Sequence, residues 1–335
     1  MKTYLSYSLI LAAAASGMAS GAETAYTAPV GYVGLGNTAG IAIPAKTDMS
    51  VAIPLDQPSL WAGTVASVSG NVITLTGTTG FTLNQWVSAA TPYVAKITSG
   101  AKSGQMALIT ASNATTLTVA FQNTDSLASI VSGDRVTISL AWTIKNFFAG
   151  NTLPDNIEFS LWEGVAFGTD NAPDKVYYYF GGSWYDSSND VVSDSVVLYP
   201  NEGFKLRNTT NTGIAKITVT GQVPVSNSRV FSRGAAGAQD TRISCFSPVD
   251  EPIATSGLGA ADNDQLLVWS VLQTGTDNAP AAVYYKFGSA WYDSANDADV
   301  TATLKLKAGL GYVYRAAAGT ASSTSSNLPD YVPSL

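Results

Sequence analysis

Gly168-Thr-Asp-Asn-Ala-Pro173, Val176-Tyr-Tyr178, Phe180-Gly181, Trp184-Tyr-Asp-Ser187 and Asn189-Asp190 return later in the chain as Gly275-Thr-Asp-Asn-Ala-Pro280, Val283-Tyr-Tyr285, Phe287-Gly288, Trp291-Tyr-Asp-Ser294 and Asn296-Asp297. At a constant offset of 107 (275 − 168), 17 of 23 aligned positions are identical. A repeat of this length sets the architecture before any single residue does. It extends upstream, where Asp155-Asn156 and Trp162 match Asp262-Asn263 and Trp269, and downstream, where Gly203-Phe204 and Arg207 match Gly311-Tyr312 and Arg315 at offset 108. Further upstream Pro54-Leu-Asp-Gln-Pro58 matches Pro248-Val-Asp-Glu-Pro252 at offset 194. The change from 194 to 107 places about 87 extra residues inside the first copy.

The expected plan is therefore all-β, with two tandem homologous β-sandwich-like units, the first interrupted by a small β-barrel or sandwich insert. Unit A takes 23–63 plus 151–220, the insert 64–150, and unit B 221–335. The insert reads as six short strands around 64–68, 72–76, 93–98, 105–110, 116–120 and 134–139, separated by turn residues such as Ser69-Gly70-Asn71. The repeated block reads as a hairpin turning at Gly181-Gly182 and Gly288-Ser289. Replacement of Tyr179 by Lys286 suggests that this position points to water, with Phe180 and Phe287 on the packed face.

Composition narrows the function classes. Residues 1–22 have one basic residue, a short apolar run and small residues ending Ser20-Gly21-Ala22, the pattern of a secretory signal peptide. The expected location is outside the cytoplasm: periplasmic, cell-surface or extracellular, with no membrane span. The 335 residues carry 17 basic and 24 acidic side chains, a formal charge of −7. That balance lacks the basic footprint of a nucleic-acid-binding protein. There is no histidine, which removes Ser-His-Asp and Cys-His catalysis and HExxH zinc chemistry together. The single cysteine, Cys245, sits in a strand-like stretch and reads as a buried, inert thiol.

The chain resembles a family of exported all-β proteins of Gram-negative bacteria that has no assigned biochemical activity. The resemblance rests on Pro29-Val-Gly-Tyr-Val33, Ile53-Pro-Leu-Asp56, Gly63-Thr-Val-Ala-Ser-Val-Ser-Gly70, Ile97-Thr-Ser-Gly-Ala-Lys-Ser-Gly104, Trp142-Thr143, Tyr199-Pro200 and Gly203-Phe204. It implies export and an all-β build, and carries over no catalytic residue.

Two candidate sites come from the repeat. Trp184 and Tyr185, with Trp291 and Tyr292, could offer aromatic faces for sugar stacking beside the carboxylates of Asp186 and Asp293, although Trp and Tyr in a hairpin usually anchor a core. Asp186, Asn189 and Asp190, with Asp293, Asn296 and Asp297, could supply oxygen ligands to calcium. Counted from Asp186, however, valines occupy the sixth and twelfth places where an EF-hand needs Gly and Glu, and Asx turns account for the same residues. The expected function is that of a non-enzymatic structural or adhesive surface protein, self-assembling through sheet edges. A carbohydrate- or calcium-dependent binding module is the alternative and a secreted hydrolase the last, with no catalytic residue, no cofactor beyond calcium, and glycans or further copies of the chain as partners.

Overall fold

The computed structural model describes residues 29–35, 43–77, 79–121, 125–163, 167–258 and 261–332. The proposed signal peptide lies outside them. The chain is nearly all β. Unit A opens with β1 (Val30–Leu35) and β2 (Thr47–Ala52). Six strands follow, β3 (Ser59–Ser69), β4 (Val72–Leu75), β5 (Tyr93–Ile97), β6 (Met106–Ser112), β7 (Thr116–Ala120) and β8 (Arg135–Leu140), and they close into an antiparallel barrel of order β3-β4-β7-β6-β5-β8. Alternate residues, among them Val65, Ile73, Ile97, Ile109, Leu117 and Ile138, fill its interior, so it is a packed core rather than a ligand-holding barrel. An edge-to-face series Trp61–Phe81–Trp86–Tyr93, with centroids 5.1–5.4 Å apart, extends this core.

The chain then returns through β9 (Trp142–Thr143) to the short helix α1 (Ile144–Phe147), whose N-cap Thr143 and Asn146 form a reciprocal capping box. Trp142, Ile144, Phe147 and Phe148 pack in the core of unit A, so the insert gives way at about residue 141 rather than 150. Next come β10 (Glu158–Leu161), β11 (Lys175–Phe180), β12 (Ser183–Asp186), β13 (Val197–Leu198), β14 (Gly203–Asn208) and β15 (Ile217–Gln222). Unit B contains β16 (Ser228–Ser232), β17 (Gln239–Ser244), β18 (Glu251–Pro252), β19 (Gln265–Val268), β20 (Ala282–Phe287), β21 (Ala290–Asp293), β22 (Lys305–Leu306), β23 (Gly311–Ala316) and β24 (Ser323–Asn327).

Both units use one strand plan. The five-stranded sheet of unit A runs β12-β11-β10-β14-β2, and that of unit B runs β21-β20-β19-β23-β17. Each unit adds two small ladders, β1-β15 and β9-β13 in A, β16-β24 and β18-β22 in B. The repeated residues do the same local work in each copy. Gly181 and Gly288 turn the hairpin with φ of 55° and 57°, and their amides donate to Asp155 and Asp262 at 2.9 and 2.8 Å. Asn156 and Asn263, left-handed at φ 66° and 71°, donate their amides back to Tyr179 and Lys286. This use of Asn at a left-handed turn position follows from its tolerance of αL. Replacing Asp155 or Asp262 by Ala is expected to lower stability by about 1 kcal/mol, since one exposed turn hydrogen bond is lost. A shift of the urea midpoint at unchanged m-value checks it.

The units meet through a reciprocal seam. The Gly275 carbonyl of unit B accepts from the Asp48 amide (3.1 Å), and the Gly168 carbonyl of unit A accepts from the Asp240 amide (3.0 Å). Asp48 holds Arg207 by two hydrogen bonds of 2.7 and 2.8 Å, and Asp240 holds Arg315 by two of 2.7 and 3.0 Å. Each arginine then crosses the seam, Arg207 to Asp277 and Arg315 to Asp170. The Asp277 and Asp170 amides donate to Asp48 and Asp240 in return. Contacts of residue i to j and j to i are the mark of an isologous interface, realised here within one chain. At its centre Gly203 and Gly311 lie back to back. A Cβ on Gly203 would stand 3.1 Å from the Gly311 Cα, and one on Gly311 would stand 2.9 Å from the Gly203 Cα.

The seam also covers two sheet edges. On β2 the Asp48 and Ala52 amides donate to Gly275 and Gly309, and on β17 the Asp240 and Ser244 amides donate to Gly168 and Asn201. At the other edges, bridges Tyr185–Val192 and Tyr292–Asp299 lay the segment that follows each hairpin along β12 and β21. Covered edges cannot template a neighbouring strand. The barrel is bolted to unit B as well: Lys102 and Arg229 share Asp125, and the Asn227 amide donates to Ser103.

Candidate functional site

The cross-strand register sorts the repeated aromatics onto two faces. Tyr179 pairs with Trp184, and Lys286 with Trp291, on the inward face; Tyr178 pairs with Tyr185, and Tyr285 with Tyr292, on the outward one. Trp184 and Trp291 are therefore core residues, 1% and 3% exposed. Trp184 lies 5.1 Å from the Phe148 ring and 5.3 Å from Tyr179.

The expected orientation of the hairpin is reversed. Tyr179 packs against the core, whereas Phe180 and Phe287 are 53% and 59% exposed. Lys286 was a misleading marker, because it occupies an inward register near the hairpin end and its stem carries the ammonium out to the Gly288 carbonyl at 2.5 Å.

Tyr185 and Tyr292 have a different fate. Tyr185 stacks on Tyr178 with centroids 5.4 Å apart and planes 19° from parallel, and Tyr292 stacks on Tyr285 at 5.5 Å and 23°. Asp190 accepts from the Tyr178 hydroxyl at 2.9 Å, and Asp297 from that of Tyr285 at 3.1 Å. That bond holds the Tyr178 phenol above its usual range; desolvation followed by the bond to Asp297 raises Tyr285 likewise. With Phe180 and Phe287 beside them in register, each unit presents an open aromatic surface on the outer side of its hairpin. Strand parity could have found these pairs, since Tyr178 and Tyr185 flank the turn symmetrically.

The calcium candidates are occupied with turn chemistry. Asp186 Oδ1 accepts from the Ser188 amide and hydroxyl, at 2.9 and 2.6 Å, and these bonds hold its carboxyl below the usual range. Lys175 also reaches Asp186 at 3.3 Å. Asn189 accepts from the Val191 amide, Asp293 from Ala295 and Asn296 from Ala298. Asp190 and Asp297, left-handed at φ 58° and 55°, serve the tyrosines. Among the described residues no three Asp, Glu or Cys side chains converge as a metal site.

Cys245 is buried, and burial pushes its thiol up to about 12, which fits an inert packing role. Sequence reasoning passed over the residues of the seam. Trp162, Trp269 and Arg242 come together there beside a cleft of about 420 Å³. The two tryptophans were visible as repeat matches; Arg242 has no counterpart in the repeat to draw notice, because Ser50 holds the matching register on β2. Comparison with protein-family models, curated proteins and solved structures gives no match to this chain.

Proposed function

We propose that the chain is an exported, non-enzymatic surface protein whose work is adhesion, holding glycans on two equivalent aromatic platforms. The observation that carries this reading is the recurrence of the stacked pairs Tyr178–Tyr185 and Tyr285–Tyr292, each with its hydroxyl anchored by a carboxylate. An aromatic ring held at fixed tilt suits the apolar face of a sugar, and Asp190 or Asp297 stands close enough to accept from its hydroxyl groups. Tyrosine also loses little conformational freedom on binding, which favours it at recognition surfaces. Two weak sites in one rigid frame gain avidity on a repeating polymer. Self-association through sheet edges has less support, because β2, β12, β17 and β21 are covered by the chain itself.

On a glycan array, the wild-type protein is expected to bind at least one class of polysaccharide equally with calcium and with EDTA. Tyr185→Ala and Tyr292→Ala should each lower apparent affinity on the immobilised polymer by at least about tenfold, and the double variant should lose retention. Absence of binding to every glycan, or a double variant that binds as wild type, would remove the reading.

A further inference from the structure

At the seam between the units the guanidinium of Arg242 lies over two indoles, with Cζ 3.9 Å from the ring centre of Trp162 and 5.4 Å from that of Trp269. Both rings are fixed from below by the repeated loops, since the Trp162 indole donates to the Asn171 carbonyl at 2.9 Å and that of Trp269 to Asn278 at 2.8 Å. Stacking occupies the flat face of a guanidinium and leaves its in-plane fork of N–H donors unused. Among the described residues no acceptor meets that fork.

Glu163, Asp174 and Glu202 line the adjoining cleft that Arg242 also borders, but the carboxylates whose charges act on its guanidinium are Asp240 and Asp170, and these are already committed. Asp240 gives both oxygens to Arg315 and one also to the Asp170 amide, and Asp170 accepts from Arg315. Asp48 is saturated in the same way by Arg207 and the Asp277 amide. Burial brings the Arg242 guanidinium down to about 10, against the opposing charges of Asp240 and Asp170, so it is cationic at neutral pH. It borders the cleft of about 420 Å³, whose remaining wall includes Ser50, Lys205, Gln273 and Asn278. That volume falls within the range of small-ligand pockets and leaves room for a monosaccharide.

We propose that this cleft binds a hydroxylated monocarboxylate, with the uronic acids as the simplest sugar examples, the carboxylate lying in the plane of the Arg242 fork. A planar carboxylate matches two parallel N–H donors. The surrounding Asp48, Asp170, Asp240 and Asp277 make a second negative charge costly, which favours a monoanion over phosphate or sulfate. The Ser50 hydroxyl donates to the Gly311 carbonyl at 2.8 Å and keeps oxygen lone pairs for a sugar hydroxyl, while the Gln273 amide, bonded to the Ser270 amide and the Ala279 carbonyl, shapes the wall. The site is separate from the tyrosine platforms, and the proposal stands without them.

The test is a titration of the full chain, followed by saturation-transfer NMR and tryptophan fluorescence, with sodium glucuronate, its neutral methyl ester, glucose and inorganic phosphate. Glucuronate is expected to saturate, with the ester, glucose and phosphate each at least about tenfold weaker. Arg242→Gln should abolish binding. Arg242→Lys keeps the charge at the seam but lacks the fork, and it should weaken binding at least about fivefold in a protein that circular dichroism shows to be folded at the assay temperature. No saturable glucuronate signal up to about 10 mM would overturn the proposal, as would equal binding of ester or phosphate, or wild-type affinity in Arg242→Lys.

Discussion

Trp184→Ala should destabilise unit A by about 5 kcal/mol, and Trp291→Ala should destabilise unit B by about 3–4 kcal/mol. Both rings are enclosed, so truncation loses their transfer free energy and leaves a cavity that a sheet-based core closes only in part. The difference comes from neighbours. Trp184 sits in an aromatic cluster, 5.1 Å from Phe148 and 6.0 Å from Phe159, and each such pair adds about 0.5–1.5 kcal/mol beyond buried area. Trp291 packs mainly among Ile243, Leu266, Leu306 and tyrosines. Urea unfolding followed by circular dichroism measures both. Tyr185→Ala, next to Trp184 in sequence but losing only the outward stack on Tyr178, should lower stability by less than about 1 kcal/mol; a loss there comparable to that of Trp184→Ala, or a loss under about 1 kcal/mol for Trp184→Ala, would contradict the facing assigned to the hairpin.

Arg315→Ala should cost more stability than Arg207→Ala, about 3 against about 2 kcal/mol. Either change strands a carboxylate that is largely covered, with Asp240 and Asp48 only 15% and 12% exposed. Asp48 retains Lys205 at 3.7 Å, whereas the residue matching Lys205 in unit B is Val313, which offers Asp240 nothing. The seam should also respond to acid. Burial raises the Asp277 carboxyl, but the hydrogen bond and charges of Arg207 and Lys205 outweigh it and leave the group below its ordinary 3.8. A carboxyl depressed in the folded state stabilises it above the unfolded value and loses that contribution as pH falls through the folded one. Melting temperatures should therefore fall as pH drops from about 4 toward 2, and Arg207→Ala should flatten that portion of the profile. An unaltered slope in the variant would exclude the pairing.

The two strand plans and the barrel were legible because they rest on local signals. Short alternating runs and turn residues located all six barrel strands, and identical spacing located the paired hairpins. What escaped was set by distance and by parity. The match at Pro54 and Pro248 carries offset 194, yet the ladders align Asp48 with Asp240 at 192, since Arg207 and Arg315 hold them in the same register. Two additional residues in unit B lie between, around Phe246, which adopts a left-handed φ of 38°. That small insertion concealed the Asp–Arg pairs on which the seam depends. The facing of Tyr179 failed for another reason: a lysine near a hairpin end can start inward and finish in water. Gly203 and Gly311 stood out only as repeat matches, and the approach of two backbones that requires them is a contact between distant segments that no local pattern encodes.

A pair of identical chains joined about a twofold axis must place the same side chain on both sides of it. An arginine at the register of Arg242 would then face its own copy across the axis, two cations competing for one pair of indoles. With both halves in a single chain, one position can be Arg242 and its equivalent Ser50, while Lys205 in one unit has Val313 as its equivalent in the other. Covalent continuity thus lets a symmetric frame enclose an asymmetric cleft, with a single orientation available to whatever enters it.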